Sequence, residues 1–450
     1  MKRKSLILLI WIAIWQIAAM IVGSKLLLPS PVDTVVALVG MLGDSGFYID
    51  VLATVLRCIV AMLIALALGF ILALESYRHH MVRDILSLPV SLFKSIPIMA
   101  VAIYMILLLR PDNVPVLVCW VMCFPIVYTN LLTGLDSMDA SLLEMAKVYK
   151  ITGRRKLRLI YVPSLYPYFS SAMSLMAGMS WKAIVTAEVL SIPKFSLGYE
   201  LMNAKYYLNT DKLFAYVVAI IAISVSFEKL IKYILTRSKA HNYEYSKVWK
   251  LGENRAVENN NWNGKVSLSS VSKRFGDKQV LDTFNLTLEL GTVTALMGPS
   301  GRGKTTVARI LSGLEIADSG EVHAPNRIAY LFQEDRLLPW LNVYDNLAIV
   351  MDGKDDAAIH KMLKTVGLDE EAWKLPGELS GGMNYRVAMA RAFIYDASCL
   401  IADEPFRGLD AETKKKAVDK LWTPGVNGKT VLLITHSDED AALADKIVQL

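Results

Sequence analysis

The residues best equipped for chemistry are Gly298, Pro299, Ser300, Gly301, Arg302, Gly303, Lys304 and Thr305, with Thr306 following. They fit the pattern G-x-x-x-x-G-K-[ST] in full. The glycines let the backbone curl so that its N–H groups face phosphate oxygens. Lys304 brings a positive charge near the β- and γ-phosphates, and the Thr305 hydroxyl can ligate Mg²⁺. Arg302, at a free position of the pattern, is counted with the nucleotide-binding residues, the alternative being that it simply points outward. Downstream, Cys399-Leu-Ile-Ala-Asp-Glu404 is an apolar run closed by two carboxylates. Such a run predicts a buried strand ending at the phosphates, with Asp403 holding Mg²⁺ through water and Glu404 polarising the attacking water.

These residues need a framework, and the chain around them supplies its pattern. Val293–Met297 and Val431–Ile434 read as buried strands, and from Lys265 onward short strand-like runs alternate with helical ones. That alternation predicts an α/β domain over 265–450. Here the chain resembles the ATP-binding cassette ATPases. Leu379-Ser-Gly-Gly-Met383 resembles the family's signature, with Met383 where Gln is usual, and Ser380 precedes Asp403 by 23 residues. The resemblance implies ATP and Mg²⁺ as ligands. It also implies that Phe275 stacks on adenine, that Gln333 of the Q-loop senses Mg²⁺ and the membrane domain, and that Gly408-Leu-Asp410 is the D-loop. His436 would be the switch histidine that contacts the γ-phosphate. In this family Ser380, Gly381 and Gly382 close over ATP held by a second cassette. Two copies, most simply a homodimer, are therefore expected to form two composite sites.

The first half has a different character. The whole chain is 54% hydrophobic, and the long apolar runs lie before residue 235. Six segments have the length and apolarity of bilayer spans: Ser5–Val22, Val51–Leu74, Ile85–Leu109, Val114–Leu132, Leu165–Leu190 and Leu213–Ile231. The third is interrupted by Pro89, Lys94 and Pro97. Residues 1–240 carry a net charge of +10 and residues 241–450 a net charge of −4. The basic residues cluster between apolar runs, 15 on one side of the expected spans and five on the other. That asymmetry is a membrane-topology signal rather than a nucleic-acid footprint, and it puts both ends of this half in the cytoplasm. The expected architecture is thus multi-domain: an all-α six-helix transmembrane permease domain (1–240), a polar linker (241–264) and an α/β P-loop ATPase domain (265–450).

The cytoplasmic loop Glu144-Met-Ala146 … Pro163 is similar to the coupling loop of cassette importers, with Met145 replacing an alanine and Lys150 replacing a glycine. Glu144, Ala146 and Pro163 are the matching positions, and the loop would dock on the cassette near Gln333. Trp181–Glu188 and Leu197-Gly-Tyr … Asn203-Ala resemble permeases of the nitrate, sulfonate and taurine importers. The resemblance implies ATP-driven import of a small solute, of the nitrate, sulfonate, taurine or vitamin-precursor class, through the cytoplasmic membrane, served by an extracytoplasmic solute-binding protein. A half-exporter is the alternative, although the loops at 75–84 and 133–163 are short for one; a non-transporting membrane ATPase or sensor is another. Lys182 and Glu188 fall inside an expected span and either line a path or pair with another helix. Arg57 and Lys94 are expected to snorkel to helix ends. Cys58, Cys119 and Cys123 read as packing residues.

Overall fold

The computed structural model describes residues 2–242, 264–299, 301–407, 414–415 and 417–450. Ser300, Gly408, Asp410 and most of the expected linker lie outside these described residues. Two compact units emerge: 1–138 with 164–240, and 139–163 with 241–450. The cytoplasmic loop thus belongs to the same unit as the cassette.

The first unit is helical: α1 (Lys2–Val22), α2 (Pro31–Leu42), α3 (Ser45–Arg78), α4 (His80–Ser95), α5 (Ile98–Leu108), α6 (Val114–Asp136), α9 (Val162–Ser191), α10 (Leu197–Tyr206) and α11 (Thr210–Asn242), with α7 (Ala140–Val148) and α8 (Gly153–Lys156) falling in the second unit. Among the described residues, three helices are long and apolar enough to cross a bilayer: α3, α6 and α11. The bent pair α4–α5 makes a fourth if it counts as one span. Helices α1 and α9 run where the first and fifth spans were expected, but α9 carries Pro167, Lys182 and Glu188 among its apolar residues.

The third expected span is not one helix. Its two halves meet at 106°. The break falls at Ile96–Pro97, where both residues have extended backbone. Proline has no N–H for the helical ladder and disfavours a helical conformation in the residue before it. The apolar run is thereby divided. Helix α2, opened by a capping box in which Ser30 and Asp33 satisfy each other's backbone N–H groups, was not anticipated.

Helix α6 is the centre of this unit and is buried along most of its length. It packs on α3, where a Cβ at Gly69 would lie 2.7 Å from Val127. Only glycine permits that approach. Cys58, Cys119 and Cys123 are buried at this contact, with the Cys119 and Cys123 sulfurs 3.9 Å apart.

Near the C-terminal end of α9, Glu188 is fully buried. Its carboxylate accepts hydrogen bonds from Thr54 Oγ1 (3.0 Å), Arg57 Nη1 (3.0 Å) and Gly198 N (3.3 Å). Arg57 also donates to the carbonyls of Lys194 (2.8 Å) and Phe195 (3.0 Å). Arg57 therefore does not snorkel outward as expected; a buried counter-charge holds it inside. Glu188 is a pairing residue, whereas Lys182 and Lys94 are exposed.

The second unit contains two sheets. An antiparallel sheet has the order β2 (Lys278–Leu288), β1 (Val266–Phe275), β4 (Ser319–His323). A parallel sheet has the order β5 (Ile328–Leu331), β6 (Cys399–Asp403), β7 (Thr430–Ile434), β3 (Val293–Met297), β8 (Lys446–Gln449). Strands β3, β5, β6 and β7 are buried at every position, as parallel strands covered on both faces must be. Four neighbouring strands therefore end at one edge of the sheet, which is where open α/β sheets bind ligands.

The Arg57–Glu188 pair yields a prediction for the first unit. Removing one partner of a buried ion pair leaves an uncompensated charge and costs about 3–5 kcal/mol, whereas replacing both by apolar side chains is far milder. Arg57→Met alone should sharply lower the thermal unfolding temperature in detergent, and adding Glu188→Met should recover most of the loss. An unaltered transition in Arg57→Met would refute the pairing.

Candidate nucleotide-binding and docking site

The phosphate loop joins β3 to the helix Lys304–Leu311. Three of its glycines take positive φ: Gly298 (153°), Gly301 (80°) and Gly303 (106°). At Gly303 a Cβ would also come within 3.0 Å of Val280. Lys304 is buried, and its Nζ donates to the carbonyls of Gly298 (2.6 Å) and Pro299 (3.1 Å). The lysine is thus folded back over the loop it serves. Behind it, Val307, Ala308, Ile310 and Leu311 bury the helix against the sheet.

The strand-end residues converge on the same place. Thr305 Oγ1 donates to Asp403 Oδ2 at 3.2 Å. Burial pushes the Asp403 carboxyl up to about 6, and the charge of Glu404 adds to the rise. Glu404 receives Gln333 Nε2 on Oε2 (3.1 Å) and lies 3.1 Å from His436 Nδ1 through Oε1. Arg407 Nη1 is 3.3 Å from Oε2. Glu404 has φ +52°, a left-handed conformation rare for a residue with a side chain. Strain of this kind persists where the surroundings over-determine it, and it clusters at functional sites.

A cavity of about 650 Å³ opens among Phe275, Gly301, Gly303, Lys304, Thr305, Thr306, Gln333, Asp403, Glu404 and His436, together with Val280 and Arg407. Phe275 is 47% exposed, so its ring is available at the rim. Arg302, a nucleotide-binding candidate by its place in the loop, is exposed and outside this lining, because its position in the pattern leaves the side chain free to face away. Ser380, Gly381 and Gly382 are not in the lining either. They open the helix Gly381–Ile394, with Ser380 as its N-cap accepting from Met383 N. The donors near Thr305 fit a hard divalent cation: a hydroxyl and a desolvated carboxylate, with the Gln333 amide close by.

Below the site, loop 139–163 is seated on the cassette. Helix α7 (Ala140–Val148) is N-capped by Asp139 and buries Leu142, Met145, Ala146 and Val148. The methionine standing for an alanine is completely buried. Glu144 accepts from Arg309 through both nitrogens (3.0 and 2.7 Å) and from Arg336 Nη1 (2.8 Å). The Arg309 hydrogen bond, with help from Arg336, holds the Glu144 carboxyl below the usual carboxylate range. Arg309 lies on the helix that begins at Lys304, and Arg336 follows Gln333 by three residues. One carboxylate therefore touches both the phosphate-loop helix and the Gln333 segment.

Other contacts of this loop were not anticipated. Arg155, one of the basic residues between the expected spans, is buried and donates to the carbonyl of Ile349 (3.0 Å). Trp340 Nε1 donates to Leu159 O at 2.7 Å. Tyr149 is buried and donates to Tyr330 O at 2.8 Å. Lys150, where a glycine is usual, has φ +54°, which explains the glycine preference and shows that lysine tolerates the turn. Pro163 is the second residue of α9, a position where its missing N–H costs little. The only sequence hint of docking was the Glu144–Ala146 pattern; Tyr149, Arg309 and Arg336 belong to no motif.

A phosphate loop at the C-terminal edge of a parallel sheet, flanked by a carboxylate pair, a glutamine and a histidine, defines a nucleotide-hydrolysing cassette. Comparison with known proteins agrees. The profile described as ABC transporter matches residues 281–407, and that of the binding-protein-dependent transport system inner membrane component matches 65–239. The aliphatic sulfonates import ATP-binding protein SsuB 2 of Streptomyces avermitilis is 43% identical over 194 residues, covering 41% of this chain and 76% of that protein. SsuB of Yersinia pestis is 41% identical, covering 41% of this chain and 71% of the relative. For SsuB of Delftia acidovorans the identity is 42%, with coverage of 42% and 80%. Among solved structures, the dimeric post-hydrolysis state of the cassette MJ0796 with ADP and Pi is 29% identical and covers 41% of this chain and 94% of that chain, with a TM-score of 0.38. The chain belongs to the ATP-binding cassette transporters, as an importer whose permease and ATPase are joined in one polypeptide.

The Glu144 contact can be measured directly. A double-mutant cycle on Glu144→Ala and Arg309→Ala should give a favourable coupling of about 1 kcal/mol in chemical unfolding, since the pair is doubly bonded but part-exposed. Strict additivity of the two changes would mean that the contact contributes nothing.

Proposed function

We propose that this protein imports a small anionic solute of the alkanesulfonate class across the cytoplasmic membrane, using ATP hydrolysis in a pair of cassettes. Support for the solute class comes from relatives that are named for aliphatic sulfonate import. In this reading the first half forms six spans, with the bent α4–α5 pair as the third. Residues 1–240 are the permease, 241–264 the linker and 265–450 the cassette.

The observation that carries the reading is the Glu404 carboxylate, held by Gln333 and His436 beside Lys304 and Thr305. ATP lies in the cavity with its phosphates on the Gly298–Thr306 loop, which includes Ser300, and its base against Phe275. Lys304 leaves its two carbonyls to bind the β- and γ-phosphates, an exchange of one set of oxygens for a more negative one. Thr305, Gln333 and Asp403 hold Mg²⁺, which neutralises phosphate charge when bound. Glu404 accepts the proton of the attacking water, and His436 steadies both that carboxylate and the γ-phosphate.

Ser380, Gly381 and Gly382 stand outside the cavity of their own chain. They are offered at a helix N-terminus, where backbone N–H groups favour an anion. They complete the site of a second copy, with Asp410 at the seam, so the working unit is a homodimer. Solute arrives on an extracytoplasmic binding protein, and loop 139–163 carries the closure and opening of the cassettes to the spans.

Proteoliposomes containing the full chain test this. With a panel of extracytoplasmic binding proteins and radiolabelled ethanesulfonate, taurine and nitrate, at least one sulfonate pair should give ATP-dependent accumulation. Glu404→Gln should retain ATP binding, form a stable dimer with Mg·ATP and lose hydrolysis by about 10²–10³-fold. Wild-type turnover in Glu404→Gln would remove the general base from this reading, and accumulation of nitrate alone would remove the sulfonate class.

A further inference from the structure

Arg391 lies on the helix Gly381–Ile394 that starts at the signature residues, ten positions beyond Gly381. It is 1% exposed. Its Nη1 donates to Arg336 O and its Nη2 to Asp335 O, both at 2.8 Å. Its Nε is buried with no partner. No carboxylate oxygen lies within ion-pair distance of it among the described residues. A guanidinium kept from water by carbonyls alone is costly, and burial accordingly weakens its hold on its proton. Such a group stays dry, and bound to those two carbonyls without competition from water, only while its cover is complete.

That cover comes from loop 139–163. The Arg391 guanidinium sits 5.5 Å from the centre of the Tyr149 ring. Tyr149 is itself buried, edge-on to Tyr395 at 5.0 Å and bonded to Tyr330 O. The carbonyls that Arg391 holds belong to the segment carrying Gln333. In that segment Arg336 adopts φ +46°, stacks on Phe332 at 3.9 Å and reaches Glu144 with its side chain. Gln333 in turn contacts Glu404. One element therefore grips the Gln333 segment twice: Glu144 holds a side chain, and Tyr149 seals the cation that holds two backbone carbonyls.

We propose that Arg391 is a positioning residue for hydrolysis and Tyr149 is the lid that keeps it dry, so that the cassette turns over ATP at full rate only while loop 139–163 is seated. When Tyr149 withdraws, water reaches the guanidinium and competes with the carbonyls of Asp335 and Arg336. The left-handed Arg336 then relaxes, and Gln333 loses its place against Glu404. Unproductive hydrolysis by a cassette detached from its permease is suppressed in this way. The inference rests on the role given above to Gln333 and Glu404.

The test uses the purified full chain in nanodiscs, with three readouts: ATPase kinetics, affinity for a fluorescent ATP analogue, and phenylglyoxal modification of Arg391 by mass spectrometry. Tyr149→Phe keeps the covering ring and should hold kcat within about twofold of wild type. Tyr149→Leu should lower kcat about tenfold with KM for ATP within about threefold, and should make Arg391 reactive where wild type and Tyr149→Phe are protected. Arg391→Lys, which cannot span two carbonyls with one planar fork, should show the same fall in kcat at near-constant KM. Wild-type kcat in either Tyr149→Leu or Arg391→Lys overturns the proposal, as does equal modification of Arg391 with and without the ring. The modification readout does not depend on the assignment of Glu404, so a failure there is distinct from a failure of Glu404→Gln.

Discussion

The carboxylate of Glu144 between Arg309 and Arg336 is the contact on which the rest of the cassette unit depends. Arg309 belongs to the helix whose first residue is Lys304, and Arg336 to the segment carrying Gln333. These two elements reach the nucleotide cavity from different strands of the parallel sheet. A rigid helix and a strained turn are thus tied to one acidic side chain that belongs, in sequence, to the membrane half. Charge-assisted hydrogen bonds of this kind fix geometry as well as energy. One side chain of α7 thereby touches the phosphate-loop helix and the Gln333 segment together.

The site itself is built from tension. Glu404 and Arg336 both occupy left-handed backbone conformations, and Lys304 is folded onto its own loop. Asp403 is desolvated enough to lie near 6. Each feature costs free energy and has to be held by its surroundings. The sheet can carry this because four of its five strands are wholly buried. Binding therefore meets groups already in place.

The helical unit solves a related problem with other means. Glu188 and Arg57 would be prohibitive in an apolar bundle if alone, and together they stitch α3, α9 and the turn before α10. Thr54 and the Gly198 backbone complete the carboxylate's bonding. Gly198 is required there, because a Cβ would lie 2.4 Å from that of Glu188. Polar residues inside this unit serve to fix its form.

Motifs whose chemistry is local were legible in the sequence. The phosphate loop needs glycines and a lysine at set spacings, and strands buried on both faces are continuous apolar runs, so residues alone located the cassette and its edge of convergence. The apolar run 85–109 did not disclose its 106° bend, because a proline marks a possible break without fixing its angle. The fates of Arg57, Glu188 and Arg155 were equally hidden. A charge in an apolar stretch snorkels or pairs according to what another segment places beside it. Tyr149, Arg309, Arg336 and Arg391 stood in no motif, since the partners of the first three lie 165 or more residues away, and Arg391 acts through backbone carbonyls that have no sequence. Side-chain type and spacing determined which chemistry this chain can do; only tertiary packing, which joins distant segments through geometry and desolvation, decided what holds that chemistry to loop 139–163.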